Sequence, residues 1–283
     1  MTPAHEIRTA LPDDVAAIRS ILASHGNDGP VVTVDIVGPY VAHLVEHHRA
    51  MLSVVGDEVV GFGAVVDAGV SVHLADLFVR PDLLGRGIGR PLLAALFADA
   101  SRRSTFASDD PRALPLYVRA GMAPLWASLY LEGVGTLLPT PPRTIDVDRA
   151  DPSRLARLEL AWTGVNRSAD HEFWGSQGEA ESAVVAVGGE PAAIIHARTR
   201  QAARVRVVDR LLVRPGVDPV APTLAALRMA ARGGSVQCAV QGPSPVLRVL
   251  LDLGFLVYDR DQYMATDAGL VDPARLIPNP GML

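Results

Sequence analysis

Gly85, Gly87 and Gly89 stand at alternate positions in Leu84-Gly-Arg-Gly-Ile-Gly-Arg90. An apolar run, Leu74 to Val79, precedes them and turns at Arg80-Pro81-Asp82. Leu92, Leu93, Leu96 and Phe97 follow at helical spacing. A strand that enters a glycine loop and then a helix makes an anion site. The first N–H groups of the helix lack internal partners, and glycines let a phosphate approach the backbone. Arg86 and Arg90 can add charge-assisted bonds to phosphate oxygens. The loop lacks the Gly-Lys-Ser/Thr of a P-loop. Three consecutive strand signals precede it, unlike a dinucleotide fold, whose loop follows the first strand of a parallel alternation.

Other reactive side chains are sparse. Cys238 is the sole cysteine, which excludes a disulfide framework and a multi-cysteine metal site. It sits in an apolar run, Val236 to Val240, that reads as a buried strand. No His, Cys or carboxylate spacing resembles a metal site, so no metal is expected. All 26 basic residues are Arg, which excludes lysine chemistry and reads as the mark of a GC-rich, bacterial genome.

The elements that position the loop follow from the pattern of the chain. Its 283 residues allow one large or two ordinary domains, and 49% hydrophobic with 20% charged residues describe a globular protein. The net charge of −5 argues against nonspecific nucleic-acid binding and leans toward a cationic acceptor. No signal peptide is visible, and no apolar run reaches the roughly 18 residues of a membrane span, so a soluble cytoplasmic protein is expected.

Glu6 to Ala10 reads as a strand. A helix then opens at Pro12-Asp-Asp14, with Asp13 or Asp14 as cap and Val15, Ile18, Ile21 and Leu22 inward. His25 to Pro30 is a break, and Pro39 to Arg49 a second helix with Val41, Leu44 and Val45 inward; the irregular stretch between the helices is where a substrate could be gripped. Met51 to Val66 is a hairpin about Gly56-Asp57-Glu58. Ser71 to Val79 is a third strand. Ser104 to Ala107 is short strand, Asp110-Pro111 a helix start, Gly121 its end, and Met122 to Leu131 a strand. Leu138-Pro-Thr-Pro-Pro-Arg143 is an extended spacer.

Beyond the spacer the pattern repeats. Leu211-Leu-Val-Arg-Pro215 matches Leu77-Phe-Val-Arg-Pro81 at an offset of about 134, and Val249 to Phe255 matches Leu116 to Met122 at about 133. In this second copy Val217 to Thr223 replaces the glycine loop and Leu250 stands at the Tyr117 position. The chain therefore divides into residues 1–137, a linker 138–143, and residues 144–283, the last a retained fold with lost chemistry. Arg198, Arg200, Arg204, Arg206, Arg210 and Arg214 cluster there; Arg204 and Arg206 alternate on one face, either to receive an anion or as exposed surface balanced by acids. Trp162, Phe173 and Trp174 are expected in a core or a seam.

Val79-Arg-Pro81 with Leu84-Gly-Arg-Gly-Ile-Gly89 resembles the acetyl-coenzyme A motif of the GNAT acetyltransferase superfamily. Ile7-Arg-Thr-Ala10, with Asp14 and Ile18, resembles its first strand and helix, and Asp110 to Met122 its later helix with a Leu-Tyr pair. The resemblance covers residues 5 to 132, with a fainter copy from about 144 to 269. Leu84 departs from the Gln or Arg frequent at that position. The implied fold is α/β (α+β): two tandem GNAT-like domains, the second degenerate, each a mixed, mostly antiparallel twisted sheet flanked by helices. The implied co-substrate is acetyl-coenzyme A. Its pantetheine arm would lie where the fourth strand splays from the fifth, on Leu77, Phe78 and Val79, and its phosphates on residues 84 to 90: Leu84, Gly85, Arg86, Gly87, Ile88, Gly89 and Arg90.

By the same resemblance, an amine attacks the thioester directly and a strand N–H polarises its carbonyl. Tyr117 is the expected general acid for the departing thiolate, since a phenol of pKa about 10 can donate to it; the alternative is a Tyr packed on a helix face. Asp76 is a candidate general base, or a strand-end carboxylate paired with an Arg. His43, Glu46, His47 and His48 also lie near the acceptor side in this reading, or form a solvated face. The acceptor is a small-molecule or peptide amine, with no nucleic acid or membrane partner, and the assembly a monomer or homodimer. A non-catalytic acyl-coenzyme A sensor or assembly module is the second reading.

Overall fold

Apolar residues alternating along short runs, each followed by a helical stripe, produce the same element series twice. The structure, a computed structural model, describes residues 5–25, 37–200 and 204–283. The stretch expected to grip a substrate, with most of the break beginning at His25, lies outside the described residues. The chain forms two compact units: residues 1–125, 263–270 and 280–283, and residues 126–262 and 271–279.

In the first unit, β1 (Glu6–Thr9), β2 (Arg49–Val55), β3 (Glu58–Asp67), β4 (Val72–Val79) and β5 (Arg103–Ala107) lie side by side in that order. All neighbouring pairs among them are antiparallel except β4 with β5. The helices are α1 (Val15–Ser24), α2 (Val37–His47), α3 (Gly89–Leu96) and α4 (Ala113–Arg119). Ile18 and Ile21 of α1 and Tyr40, Val41 and Leu44 of α2 are buried. Leu92, Leu93 and Leu96 of α3 form one core with Leu74, Phe97, Ala107, Tyr117 and Met122.

Two local expectations shift. Asp14 precedes α1 but makes no side-chain cap; its carboxylate instead accepts from Leu11 N–H at 2.8 Å and from the Arg8 guanidinium at 2.7 Å. The Arg8 bond chiefly lowers its pKa. Asp110 likewise accepts from Arg112 N–H at 2.8 Å, so a turn intervenes and α4 begins at Ala113. Val15, Leu22 and Val45 are only half-buried.

The second unit repeats the series with β7 (Ile145–Arg149), α5 (Pro152–Thr163), α6 (Ser168–Ser176), β8 (Glu181–Val187), β9 (Glu190–Arg200), β10 (Val205–Val213), α7 (Val220–Ala231), β11 (Ser235–Gln241) and α8 (Pro245–Asp252). Only β10 with β11 is parallel among its neighbouring pairs of known register. Each copy's last strand completes the other unit. β6 (Ala123–Val134) runs from Trp126 onward in the second unit, antiparallel to β11 with Leu131 opposite Cys238. β12 (Leu256–Ala265) ends in the first unit, where Thr266 N–H bonds to the Arg103 carbonyl at 3.0 Å. The two compact units change over between Leu125 and Trp126.

Three of the second copy's arginines are buried rather than on an exposed surface. Arg198, Arg206 and Arg210 are no more than 6% exposed and pair with Asp209, Glu181 and Glu159. Arg204 has a φ of 52° and precedes β10, so it does not share a strand face with Arg206. Trp174 and Phe173 are buried and Trp162 half-buried. Burial pushes the Cys238 thiol up to about 12. No described helix is long and apolar enough to cross a membrane.

Candidate active site

β4 and β5 share three rungs, Val72 with Arg103, His73 with Ser104 and Leu74 with Thr105. The Thr105 hydroxyl donates to the Leu74 carbonyl at 3.1 Å and closes the last of them. Ala75 is then the extra residue of a β-bulge, because Leu74 faces Val65 and Asp76 already faces Ala64. A bulge bends and twists its strand. From Asp76 to Val79, β4 keeps its pairing to β3 and has no rung on β5. The result is a wedge in which the β4 edge along Asp76, Leu77, Phe78 and Val79 pairs with no strand among the described residues.

The glycine loop lies at the end of that edge. Arg80 is held by Glu58 at 2.8 Å and Asp82 at 2.7 Å, which fixes the exit from β4. Pro81 to Leu83 make one 3-10 turn, and Leu84 and Arg86 N–H groups bond back to the carbonyls of Pro81 and Leu83, each at 3.3 Å. Arg86 N–H is therefore spoken for. Gly85 and Gly87 have φ of 76° and 83°, the left-handed region that favours glycine. A Cβ on Gly85 would meet nothing within 4 Å, so the loop backbone is open on that side. Ile88 anchors the loop from beneath, 1% exposed against Val60 and Val79. Gly89 and Arg90 begin α3, whose first N–H groups have no acceptor within the helix. Arg86 and Arg90 are exposed and form no ion pair among the described residues. These features fit a ligand that carries phosphates on an extended arm.

Asp76 is the first residue of β4 beyond the bulge. The residue as a whole is half-buried, yet its Oδ2 is shut off from solvent and has no hydrogen-bond partner. The atom-level burial decides its ionisation: desolvation raises its pKa to about 6, against a bond to Tyr40 that lowers it. Tyr40 is itself buried, and burial, then the Asp76 charge, pushes its phenol well up. The Tyr40 hydroxyl has one proton, shared between Asp76 and the more distant Gly281 carbonyl at 3.4 Å. Beside it, His73 Nε2 lies 2.9 Å from the Pro280 carbonyl, which can only accept, so Nε2 carries a proton; Nδ1 lies 3.1 Å from Ser104 Oγ. Residues 280–283 therefore line this unit.

Tyr117 stands on α4, 8% exposed, in the cluster that joins Leu74 to α3. His43, His47 and His48 form a ring cluster of their own, with centroids 5.0 and 5.2 Å apart about His43; Glu46 lies 3.9 Å from His47. Two residues at the wedge escape a reading of the sequence. His25 Nε2 donates to the Val79 carbonyl at 2.8 Å, and its ring meets Phe78 edge-on at 5.3 Å. It falls in a turn-rich break that carries no pattern. Tyr40 had one available signal, a phenol on the apolar side of a helix, which needs a partner once buried.

The second unit keeps the wedge and fills it. β10 shares two rungs with β11 and then bulges at Asp209, between Val208 and Arg210. Beyond the bulge, β13 (Leu276–Ile277) pairs with β10, Ile277 opposite Leu211 and Leu276 opposite Leu212. The Val213 N–H donates to the Arg275 carbonyl at 2.9 Å, and the Arg275 guanidinium donates to the Val213 carbonyl at 2.8 Å. Arg210 stands where Asp76 stood, and fully buried Leu250 where Tyr117 stood.

The family model described as "Acetyltransferase (GNAT) domain" matches residues 40–134. No curated protein sequence matches the chain. Among solved structures, a protein from Pyrococcus horikoshii inferred to be an acetyltransferase aligns at a TM-score of 0.72 and 15% identity, covering 99% of this chain and 94% of its own. A tandem GNAT protein from the clavulanic acid biosynthesis pathway aligns at 0.66 and 18%, covering 95% and 100%. A GCN5-related N-acetyltransferase from Sphaerobacter thermophilus aligns at 0.60 and 16%, covering 99% and 98%. At these identities the structures speak to fold, and the matched segment contains the bulge, the wedge and the glycine loop. Residues 40–134 thus match a GNAT acetyltransferase domain, and the fold of the chain is similar to that of a tandem GNAT protein.

Proposed function

We propose that the protein is an N-acetyltransferase that moves an acetyl group from acetyl-coenzyme A to an amine, and that the first unit carries the reaction. The observation that supports this most is the β4 edge from Asp76 to Val79, which has no strand partner among the described residues and leads into an exposed glycine loop at the start of α3. Amides of the pantetheine arm would pair with backbone groups of Leu77 and Val79. The phosphates would meet Gly85, Gly87, Ile88 and Gly89 backbone, with Arg86 and Arg90 supplying charge. In this reading the His25 bond takes one lone pair of the Val79 carbonyl and leaves the other for the ligand.

Asp76 would take a proton from the acceptor ammonium, since only the neutral amine attacks. A carboxyl raised to about 6 is ionised at neutral pH and a stronger base than an ordinary aspartate. The amine nitrogen forms its bond to the acetyl carbon as the carbon–sulfur bond breaks, and the proton shed by the new amide nitrogen replaces the one that the thiolate takes up. Tyr117 would give the departing thiolate a proton or a hydrogen bond. The acceptor class is a small or peptide amine, in keeping with the acidic net charge of −5.

Release of free thiol from acetyl-coenzyme A, measured across a panel of amines, tests the reading. Thiol release that depends on amine and disappears in Gly87→Glu supports it. The second reading, an acyl-coenzyme A sensor, is favoured by Leu84 at the loop and predicts tight binding with no thiol release for any amine.

A further inference from the structure

The second unit holds a cavity of about 240 Å³, lined by Arg149, Pro152, Gly175, Glu181, Ser182 and Arg232 among others. It shares no residue with the wedge of either unit. Its lining carries two arginines against one carboxylate, while the charges of Glu179 and Asp209 also reach the adjoining Arg206. Glu181 Oε1 accepts from Arg149 Nε at 2.9 Å, and Oε2 accepts from Arg232 Nε at 2.7 Å and from Arg206 Nη2 at 3.4 Å. One buried carboxylate thus serves three guanidinium groups. Arg206 gives its remaining bonds to neutral oxygens, those of Ala197, Thr199, Ala230 and the Glu179 backbone. Arg149 and Arg232 keep exposed side chains, 78% and 46%.

Ser182 is the polar neutral group of the lining, and its proton is committed behind the wall. The Ser182 hydroxyl lies 2.7 Å from His196 Nδ1, His196 Nε2 lies 2.8 Å from His171 Nδ1, and His171 Nε2 lies 3.0 Å from Glu159 Oε2. Arg210 binds both oxygens of Glu159. Burial alone would raise Glu159, but the Arg210 charge and the bonds from His171 and Arg210 reverse this and hold its carboxyl well below the usual range. An ionised carboxylate only accepts, so His171 Nε2 carries a proton and its Nδ1 accepts. His196 Nε2 must then donate and its Nδ1 accept, and Ser182 must donate. Both imidazoles are desolvated, which lowers their pKa values and keeps them neutral. The direction of the chain is therefore fixed. Ser182 Oγ can only accept from a molecule in the cavity.

We propose that this cavity binds a small α-hydroxy acid, its carboxylate facing Arg149 and Arg232 and its hydroxyl donating to Ser182 Oγ. An excess of positive charge favours an anion and disfavours the ammonium of an amino acid. The volume suits a metabolite smaller than a drug-sized ligand. A simple carboxylate would satisfy the arginines and leave Ser182 Oγ without a donor, which loses binding.

Calorimetric and ligand-observed NMR titrations with both enantiomers of lactate, with propionate and with alanine test the proposal without any acyl donor. Lactate is expected to bind at least about tenfold more tightly than propionate or alanine. Arg232→Gln should weaken lactate and propionate alike, and Ser182→Ala should make the two equal. No lactate binding at millimolar concentration, equal binding of lactate and propionate to the unaltered protein, or tighter binding of alanine would each overturn it. Retention of the lactate preference in folded Ser182→Ala would do the same. Should Ser182→Ala fail to fold, the comparison of acids on the unaltered protein and Arg232→Gln still decides the matter.

Discussion

Ala75 and Asp209, 134 positions apart in the chain, are each the extra residue of a bulge in the fourth strand of their repeat. Each bulge falls just after the strand's last rungs on its parallel neighbour. Beyond Ala75 the β4 edge pairs with no strand among the described residues, whereas the edge beyond Asp209 is taken by β13 and Arg275. The two wedges have one origin and opposite capacities for an extended ligand.

Coenzyme A should accordingly bind once per chain. Calorimetry with coenzyme A or acetyl-coenzyme A is expected to give a stoichiometry near one, and Gly87→Glu to abolish it. Its left-handed φ and exposed position make any side chain at Gly87 both strained, by roughly 1–2 kcal/mol, and obstructive. Two equivalent sites per chain would contradict the role given to β13.

Asp76 sets a pH dependence of defined sign. As general base it must be ionised, so kcat/KM should rise with pH through about 6 and then level off. Stability runs the other way. A carboxyl whose folded pKa exceeds its unfolded value stabilises the fold below the unfolded value, and that contribution is lost as pH rises through about 6. Asp76→Asn should therefore raise Tm relative to the unaltered protein at pH 8, by the equivalent of about 2–3 kcal/mol, and leave it unchanged near pH 3.5. Turnover should fall about 100-fold or more. A variant that loses stability at pH 8 would place Asp76 in a structural ion pair instead.

Tyr117→Phe removes a hydroxyl and keeps the ring in its core. Coenzyme A affinity should stay within about twofold, while kcat falls roughly 10- to 100-fold, most at high pH where other proton donors are scarce. An unchanged kcat across pH would return Tyr117 to a packing role.

Glu159→Gln should destabilise the second unit by about 3–5 kcal/mol, because it leaves the fully buried Arg210 charge without its carboxylate. Chemical denaturation measures the loss. Glu159→Leu combined with Arg210→Met should recover most of it, since removing both charges together leaves neither uncompensated.

Much of the fold is legible locally. The strand, helix and turn order reads from apolar spacing and from Gly56, Gly121 and the prolines, and the Val-Arg-Pro repeat exposes the duplication. The second copy's arginines mislead, because a run rich in Arg reads as surface; Glu159, Glu181 and Asp209 that neutralise them lie 11 to 51 positions away. His25 and Tyr40 were illegible as site residues for a related reason, since their partners Val79 and Gly281 are 54 and 241 positions distant.

By itself the sequence determined the repeated element order, the glycine loop at the start of α3, and the loss of that loop and of Tyr117 from the second copy. Those features depend on residue type and short spacing, which fix backbone freedom and the apolar face. Only the tertiary structure decided which strand fills which edge. The exchange of β6 and β12, the plug at β13, the desolvated Asp76 carboxyl and the one-way chain from Ser182 to Glu159 all arise from pairings between distant segments. Backbone edges and buried charges accept whichever partner the packed fold delivers, and no local pattern encodes that choice.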